Sequence, residues 1–331
     1  MERSDASGAS SSSGATPLRL VLSAIPAPLT EPVLQGEATP RGVELSTQRA
    51  GSVDGNSRQM LTLAFDVAEM SFATFLRARE DGVPLVGLPI FTGRRFLQPG
   101  ITVRADAAVR TPADLAGKRV GLPQFWMTSS VWHRGVLHSE YGVAQPQVIW
   151  YTSREERMDS LVMPDDVEVR ATPEGTAPEA LLAAGELDGL MMPRPGKTGG
   201  EGPSRIVQPF DDLGQTQRDY YRRTGVFPIM HFVVMKETLD REHPGLAASL
   251  CEAFAEAKDK AVTSGADLAP VEGDSPEQTR ALFGEDPWAY GLARNRPALE
   301  TFLGYAREQG LVQRDVSVEE LFAPSTRHLF E

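Results

Sequence analysis

The chain has 331 residues, 41% hydrophobic and 24% charged, with a formal net charge of −12 and a single cysteine, Cys251. That length suffices for two lobes with separate cores. The acidic balance and the lack of a Lys/Arg run argue against nucleic acid or an anionic membrane as partners, and a lone cysteine excludes an internal disulfide and a Cys-based metal cage.

Residues 1–16 form a Ser/Gly/Ala-rich tail with no apolar export core, read as disordered, so a cytoplasmic protein is expected. No run approaches the roughly eighteen apolar residues of a membrane span. Leu18–Ile25 alternates as a first strand, Gly42–Ser46 is a candidate second strand, and Gln59–Leu63 belongs to a helix. Phe65–Met70 leads from a strand into a helix through Phe75, and Pro89–Val103 holds a loop and a strand. Thr111, Pro112 and Asp114 are N-cap, first-position and first-turn residues of a short helix that runs to Ala116 and stops at Gly117.

Lys118–Leu122 then reads as a strand, and behind Pro123 the hydroxyls of Thr128, Ser129 and Ser130 open an amphipathic helix. Unpaired N–H groups and the positive dipole end make such a start a seat for a carboxylate or phosphate, although the same hydroxyls also serve as plain caps. Within that helix Arg134 reads as a partner in a structural salt bridge and His133 as exposed. Gly196–Pro203 lacks the spacing of a phosphate loop and reads as a surface loop. Phe227–Met235 is a good buried strand. Pro244–Ser264, which places Cys251 as a small core residue, and Arg296–Gln309 have helical spacing.

The five histidines, His133, His138, His231, His243 and His328, show no metal-binding spacing, and neither a serine elbow nor a dinucleotide fingerprint is present. Neither metal nor cofactor is therefore expected. Acid–base chemistry on a bound anion remains, which needs a cationic or N–H-rich clamp and a proton-transfer group.

The run Asp114–Gly121 (D-L-A-G-K-R-V-G) before a hydroxyl-rich helix start resembles the second lobe of type II periplasmic-binding-protein folds. Met127–Thr128 followed by Val131–Gly135 (V-W-H-R-G) resembles one enzyme branch of that fold, the 4,5-dihydroxyphthalate decarboxylase family. Phe65–Ser71, Gly185–Asp188, Pro193–Pro195, Thr224–His231, Asn295–Arg296 and Leu321–Thr326 follow in the family's order. The resemblance implies an α/β, two-lobed fold with the ligand cleft between lobes. With crossings near Ile101–Arg104 and Phe227–Met235, residues 17–102 plus 229–331 make one lobe and 103–228 the inserted one.

It further implies a cofactor-independent decarboxylase or related lyase acting on a hydroxylated aromatic or other conjugated cyclic acid. Arg94 matches an arginine of the family's motif and suits a carboxylate, or is a surface arginine; Arg194 is placed similarly, or in a surface ion pair. Ser71, Trp126, Thr128, Ser129 and Ser130 stand beside the substrate in this reading. His231, at the return crossing, transfers the proton or is a hinge residue; Tyr220 and Tyr221 place a phenol over the ring or simply pack.

Where the family carries Asp-Tyr-Asp-Arg-Thr this chain has Pro26–Thr30, where it carries Arg-His it has Leu97–Gln98, and Glu-Tyr-Gln becomes Gln124–Trp126. These losses point to a less charged, more hydrophobic ligand. A non-catalytic binding protein on the same fold, or different chemistry as in menaquinone-pathway enzymes, are the alternatives, and a homo-oligomer is compatible with all three.

Overall fold

The computed structural model describes residues 16–194, 198–202 and 205–331, so the tail up to residue 15 and residues 196, 197 and 203 of the Gly196–Pro203 loop lie outside the described residues. Five strands come first: β1 (Leu18–Ala24), β2 (Val43–Arg49), β3 (Val67–Ser71), β4 (Leu85–Gly87) and β5 (Gly93–Arg94). Six follow without interruption by the first set: β6 (Ile101–Arg104), β7 (Arg119–Leu122), β8 (Ile149–Thr152), β9 (Val169–Ala171), β10 (Gly189–Met191) and β11 (Ile206–Val207). The last, β12 (Ile229–Lys236), returns to the beginning.

One sheet has the order β2-β1-β3-β12-β4, with β5 paired to β12, and the other the order β11-β6-β10-β7-β8-β9. β12 is antiparallel to β3, β4 and β5, whereas β1, β2 and β3 are mutually parallel. Its central place explains its run of apolar residues: Ile229, Phe232, Val233, Val234 and Met235 are all buried, on both faces of the sheet. Among the described residues no helix is long and apolar enough to cross a membrane.

The expectation of separate cores does not hold. A single apolar cluster runs from Phe72, Phe75 and Phe232 on the first sheet to Val120, Leu122 and Trp150 on the second, through Trp132 and Phe302. A second cluster, including Cys251 and Leu250, fills the other face of the first sheet. The helix Thr128–Tyr141 is the bridge, and every residue from Thr128 to Leu137 is buried. On one side the helix Arg296–Glu308 lies against it, with Trp132 5.2 Å from Phe302 and edge-on to Tyr305 at 5.7 Å.

This all-round burial overturns two expectations. His133 is 1% exposed and its Nε2 lies 3.0 Å from the Leu97 carbonyl, where it acts as donor. Arg134, also 1% exposed, makes no salt bridge: its guanidinium lies 3.6 Å above the Phe125 ring and donates to the Phe125 carbonyl at 2.6 Å. Burial pushes the arginine down to about 9, opposed weakly by Glu156. An amphipathic pattern was expected, but the helix has no solvent face before its last turn.

Burial also pushes the His133 imidazole down to about 4 against an ordinary value of 6.5, the Leu97 carbonyl opposing the shift. Between those values the unfolded chain binds a proton that the folded chain refuses, so stability is lost as pH falls from about 6.5 towards 4. The full loss is about 3 kcal/mol. Denaturant unfolding at stepped pH should show this slope, and His133→Gln, which keeps a donor but does not titrate, should flatten it. At Gly135 an added Cβ would lie 2.1 Å from the Tyr305 ring. Gly135→Ala should therefore destabilise the protein by about 1–3 kcal/mol, the overpacking exceeding the helix-propensity gain of about 1 kcal/mol, read as a lowered Tm.

Candidate functional site

β3 and β12 place three polar side chains on one surface. In their antiparallel register Ser71 faces His231, and because strand side chains alternate, Glu69 shares the face of Ser71. On the other side of β12, Gly93 of β5 is opposite His231, and a Cβ there would come within 2.5 Å of its Nδ1. Only glycine lets the imidazole lie in this position. The ring is flanked by Glu69, whose Oε1 is 3.3 Å from Nδ1.

The start of the Thr128 helix forms the facing wall. Thr128 Oγ1 shares a hydrogen bond with Ser71 Oγ at 2.7 Å and accepts the Ala73 N–H at 2.9 Å. Its hydroxyl thus staples the two halves and caps the helix Phe72–Glu80. Ser129 lines the cleft, its hydroxyl without a protein partner, and the first-turn N–H groups leave the positive end of a fourteen-residue helix there.

Between the walls lies a cleft of about 260 Å³ lined by Ile25, Ser52, Asp54, Ser71, Thr128, Ser129, Met230 and His231 together with four arginines, Arg95, Arg154, Arg157 and Arg194. Asp54 is the one carboxylate in that lining and is already paired with Arg157. Burial works against the Asp54 charge, but hydrogen bonds and charge from Arg157, helped by Arg58, outweigh it and hold the carboxyl below the usual range. Arg157 also donates to Ser71 Oγ and Thr74 Oγ1, both at 2.8 Å. Arg95 donates to the Pro193 carbonyl at 2.5 Å, and burial, then the like charge of Arg194, pushes it down. Among the described residues Arg95, Arg154 and Arg194 have no acidic partner. Unpaired cations facing one cleft in a protein of net charge −12 make a site for an anion with more than one negative charge. The expectation of a weakly charged ligand does not fit this lining, which holds four arginines.

Of the residues singled out from sequence, His231, Ser71, Thr128, Ser129 and Arg194 surround this cleft, and five others do not. Arg94 turns away onto the Phe227 ring, 4.8 Å from its centroid, and donates to the Phe227 carbonyl at 3.1 Å; burial pushes it down to about 10. Of the Arg94–Arg95 pair only Arg95, just past the end of β5, lines the cleft. Tyr220 is edge-on against Phe96, its phenol pushed up by burial and then by Tyr305, and Tyr221 lies over Phe283 at 4.3 Å. Trp126 packs on Phe125, its indole N–H without a protein partner, and Ser130 is fully buried behind the helix start. The loop after β8 contributes Arg154 and Arg157, which no periodicity or motif marks.

No family model matches the chain. A 4,5-dihydroxyphthalate decarboxylase of Comamonas testosteroni is 32% identical over 313 residues, 91% of this chain and 94% of the relative. One from Pseudomonas putida is 30% identical over 164 residues, 48% of this chain and 64% of the relative. Among solved structures, the periplasmic aliphatic sulphonate binding protein SsuA from Escherichia coli aligns with a TM-score of 0.52 over 92% of each chain at 12% identity. The ligand binding component of an ABC-type import system from Staphylococcus aureus aligns with a TM-score of 0.51 over 95% of this chain and 99% of that one at 10% identity. At such identity the solved structures speak for the two-lobed, periplasmic-binding-protein-like fold alone. The near-full-length match to the Comamonas relative places this chain in the 4,5-dihydroxyphthalate decarboxylase family, as a divergent member.

Proposed function

We propose that the protein is a cytoplasmic carbon–carbon lyase of specialised metabolism that decarboxylates a hydroxylated aromatic acid bearing more than one negative charge, without a cofactor. The lobes in this reading are residues 17–102 plus 229–331 and residues 103–228, with the substrate between them. The observation that carries the proposal is His231 standing in a cleft with four arginines and no carboxylate left unpaired. The names of the two relatives support the reaction class.

The chemistry follows from the ring. A hydroxyl ortho or para to the carboxylate feeds electron density towards the carbon that bears it, so that carbon can accept a proton before the carbon–carbon bond breaks. His231 as imidazolium gives that proton, and a protonated dienone with its positive charge on the hydroxyl oxygen replaces a free aryl carbanion; the imidazole regains its proton from water after carbon dioxide has left. The carbon–carbon pair then returns to the ring, carbon dioxide leaves, and aromaticity is restored, with the ring gaining one hydrogen for the carboxylate lost. Arg95 and Arg194 hold a carboxylate against the positive end of the Thr128 helix, which fixes the ring beneath the imidazole. Holding a carboxylate that stays on the ring is equal in ground and transition states, so in this reading the arginines anchor and orient the substrate while proton transfer lowers the barrier.

Incubation with 4,5-dihydroxyphthalate and with hydroxybenzoates carrying one carboxylate should release carbon dioxide, fastest from the doubly charged acid. Binding of these acids without release would overturn the proposal. His231→Asn should lower kcat by roughly 10²–10⁴-fold with little change in KM, the range for loss of a general acid–base. Arg95→Ala should weaken substrate binding by about 1.5–3 kcal/mol, as expected for hydrogen bonds to a charged group. Calorimetric titration of Arg94→Ala should show unaltered affinity, because its guanidinium points away from the cleft.

A further inference from the structure

We infer that Glu69 is the positioning residue of this site: it fixes the orientation of the His231 ring and keeps the proton on Nδ1, so that Nε2 is the nitrogen presented to the ligand. The inference rests on the reading of His231 as the proton-transfer group. Glu69 is 4% exposed and lies in the middle of β3, one pleat from Ser71. Its two oxygens are spoken for from three sides. Oε2 accepts the Ile25 N–H at 2.9 Å, Oε1 accepts the Thr92 hydroxyl at 2.9 Å, and Oε1 also faces His231 Nδ1 at 3.3 Å.

An ionised carboxylate only accepts, so the nitrogen facing it carries the hydrogen; Nε2 is then the basic nitrogen of the neutral ring and the acidic N–H of the charged one. At 3.3 Å the contact is looser than an aligned hydrogen bond, as is common before a substrate compresses such a site. The two neutral donors hold the carboxylate in place from behind. Ile25 is itself in the cleft lining, so the same carboxylate ties the floor of the cleft to the ring above it. Gly93 completes the arrangement, because any side chain there would push Nδ1 off Glu69.

Purely structural roles for Glu69, satisfying Ile25 and Thr92, make a different prediction from this one. In Glu69→Gln the shape is kept and the charge is lost, and the amide supplies a donor as well as an acceptor. With 4,5-dihydroxyphthalate as substrate, kcat should fall by roughly 10²-fold or more, loss of tautomer control being worth up to about 10⁴ in a serine-protease triad, while KM moves by less than about threefold. Nitrogen NMR of protein labelled at histidine, with His231→Asn to assign the resonance, should show the neutral His231 ring protonated at Nδ1 in the wild type and at Nε2 or both in Glu69→Gln. Should Glu69→Gln fail to fold, Gly93→Ala tests the same contact with the Glu69 bonds to Ile25 and Thr92 intact, and should likewise lower kcat at unchanged KM.

Wild-type kcat in the folded Glu69→Gln protein, or a wild-type ring protonated at Nε2, would overturn the inference. Full activity in His231→Asn would instead overturn the reading it rests on, a separate result because the NMR measurement needs no turnover.

Discussion

The pairing of β12 with β3 holds together residues that lie far apart in sequence, and both the fold and the site depend on it. The ladder from Ser71–His231 to Val67–Met235 closes the chain around everything between, so the six strands from β6 to β11 form one excursion that must leave and return at neighbouring points. Bringing distant ends together is entropically unfavourable, and the buried apolar run of β12 offsets it. Because side chains alternate on paired strands, the same register that closes the fold puts Glu69, Ser71 and His231 on one face. A slip by one residue would turn His231 to the opposite side of the sheet.

The charge of the molecule is divided unevenly. A chain with twelve net negative charges concentrates arginines at one concavity, and the only carboxylate in its lining is engaged by Arg157. Repulsion between Arg95 and Arg194 is borne by the folded state and relieved by an anion. Ligand binding and folding stability are therefore linked at this point: an anion that seats between the arginines raises the stability of the whole protein.

Much of the frame was legible in the sequence, and the losses have physical reasons. β1, β7, β12 and the helices beginning at Thr128, Leu246 and Arg296 show themselves because a strand or helix with a buried face imprints its period on the chain. The family blocks located His231, Thr128 and Arg194 without any geometry. His133 and Arg134 were misread because periodicity describes one helix against one neighbour, whereas the Thr128 helix is enclosed on all sides. Arg94 was preferred to Arg95 because it matches the family's motif, and a doublet of identical residues carries no sign of its own of which one lines the cleft. Arg157 sits in a loop, where neither period nor cap constrains the side chain, and its partners Asp54, Ser71 and Thr74 are distant in sequence.

The bonds of Arg157 also tie the two sides of the cleft to each other. This arginine, carried by the loop after β8, grips Asp54, Ser71 and Thr74 on the other half, and Arg58 reaches back to the carbonyls of Glu156 and Arg157. All these bonds join protein groups alone, so the halves hold each other shut by their own chemistry. An anion seated in the cleft would therefore share this guanidinium with Asp54, so that the group joining the two halves is also a group the ligand meets.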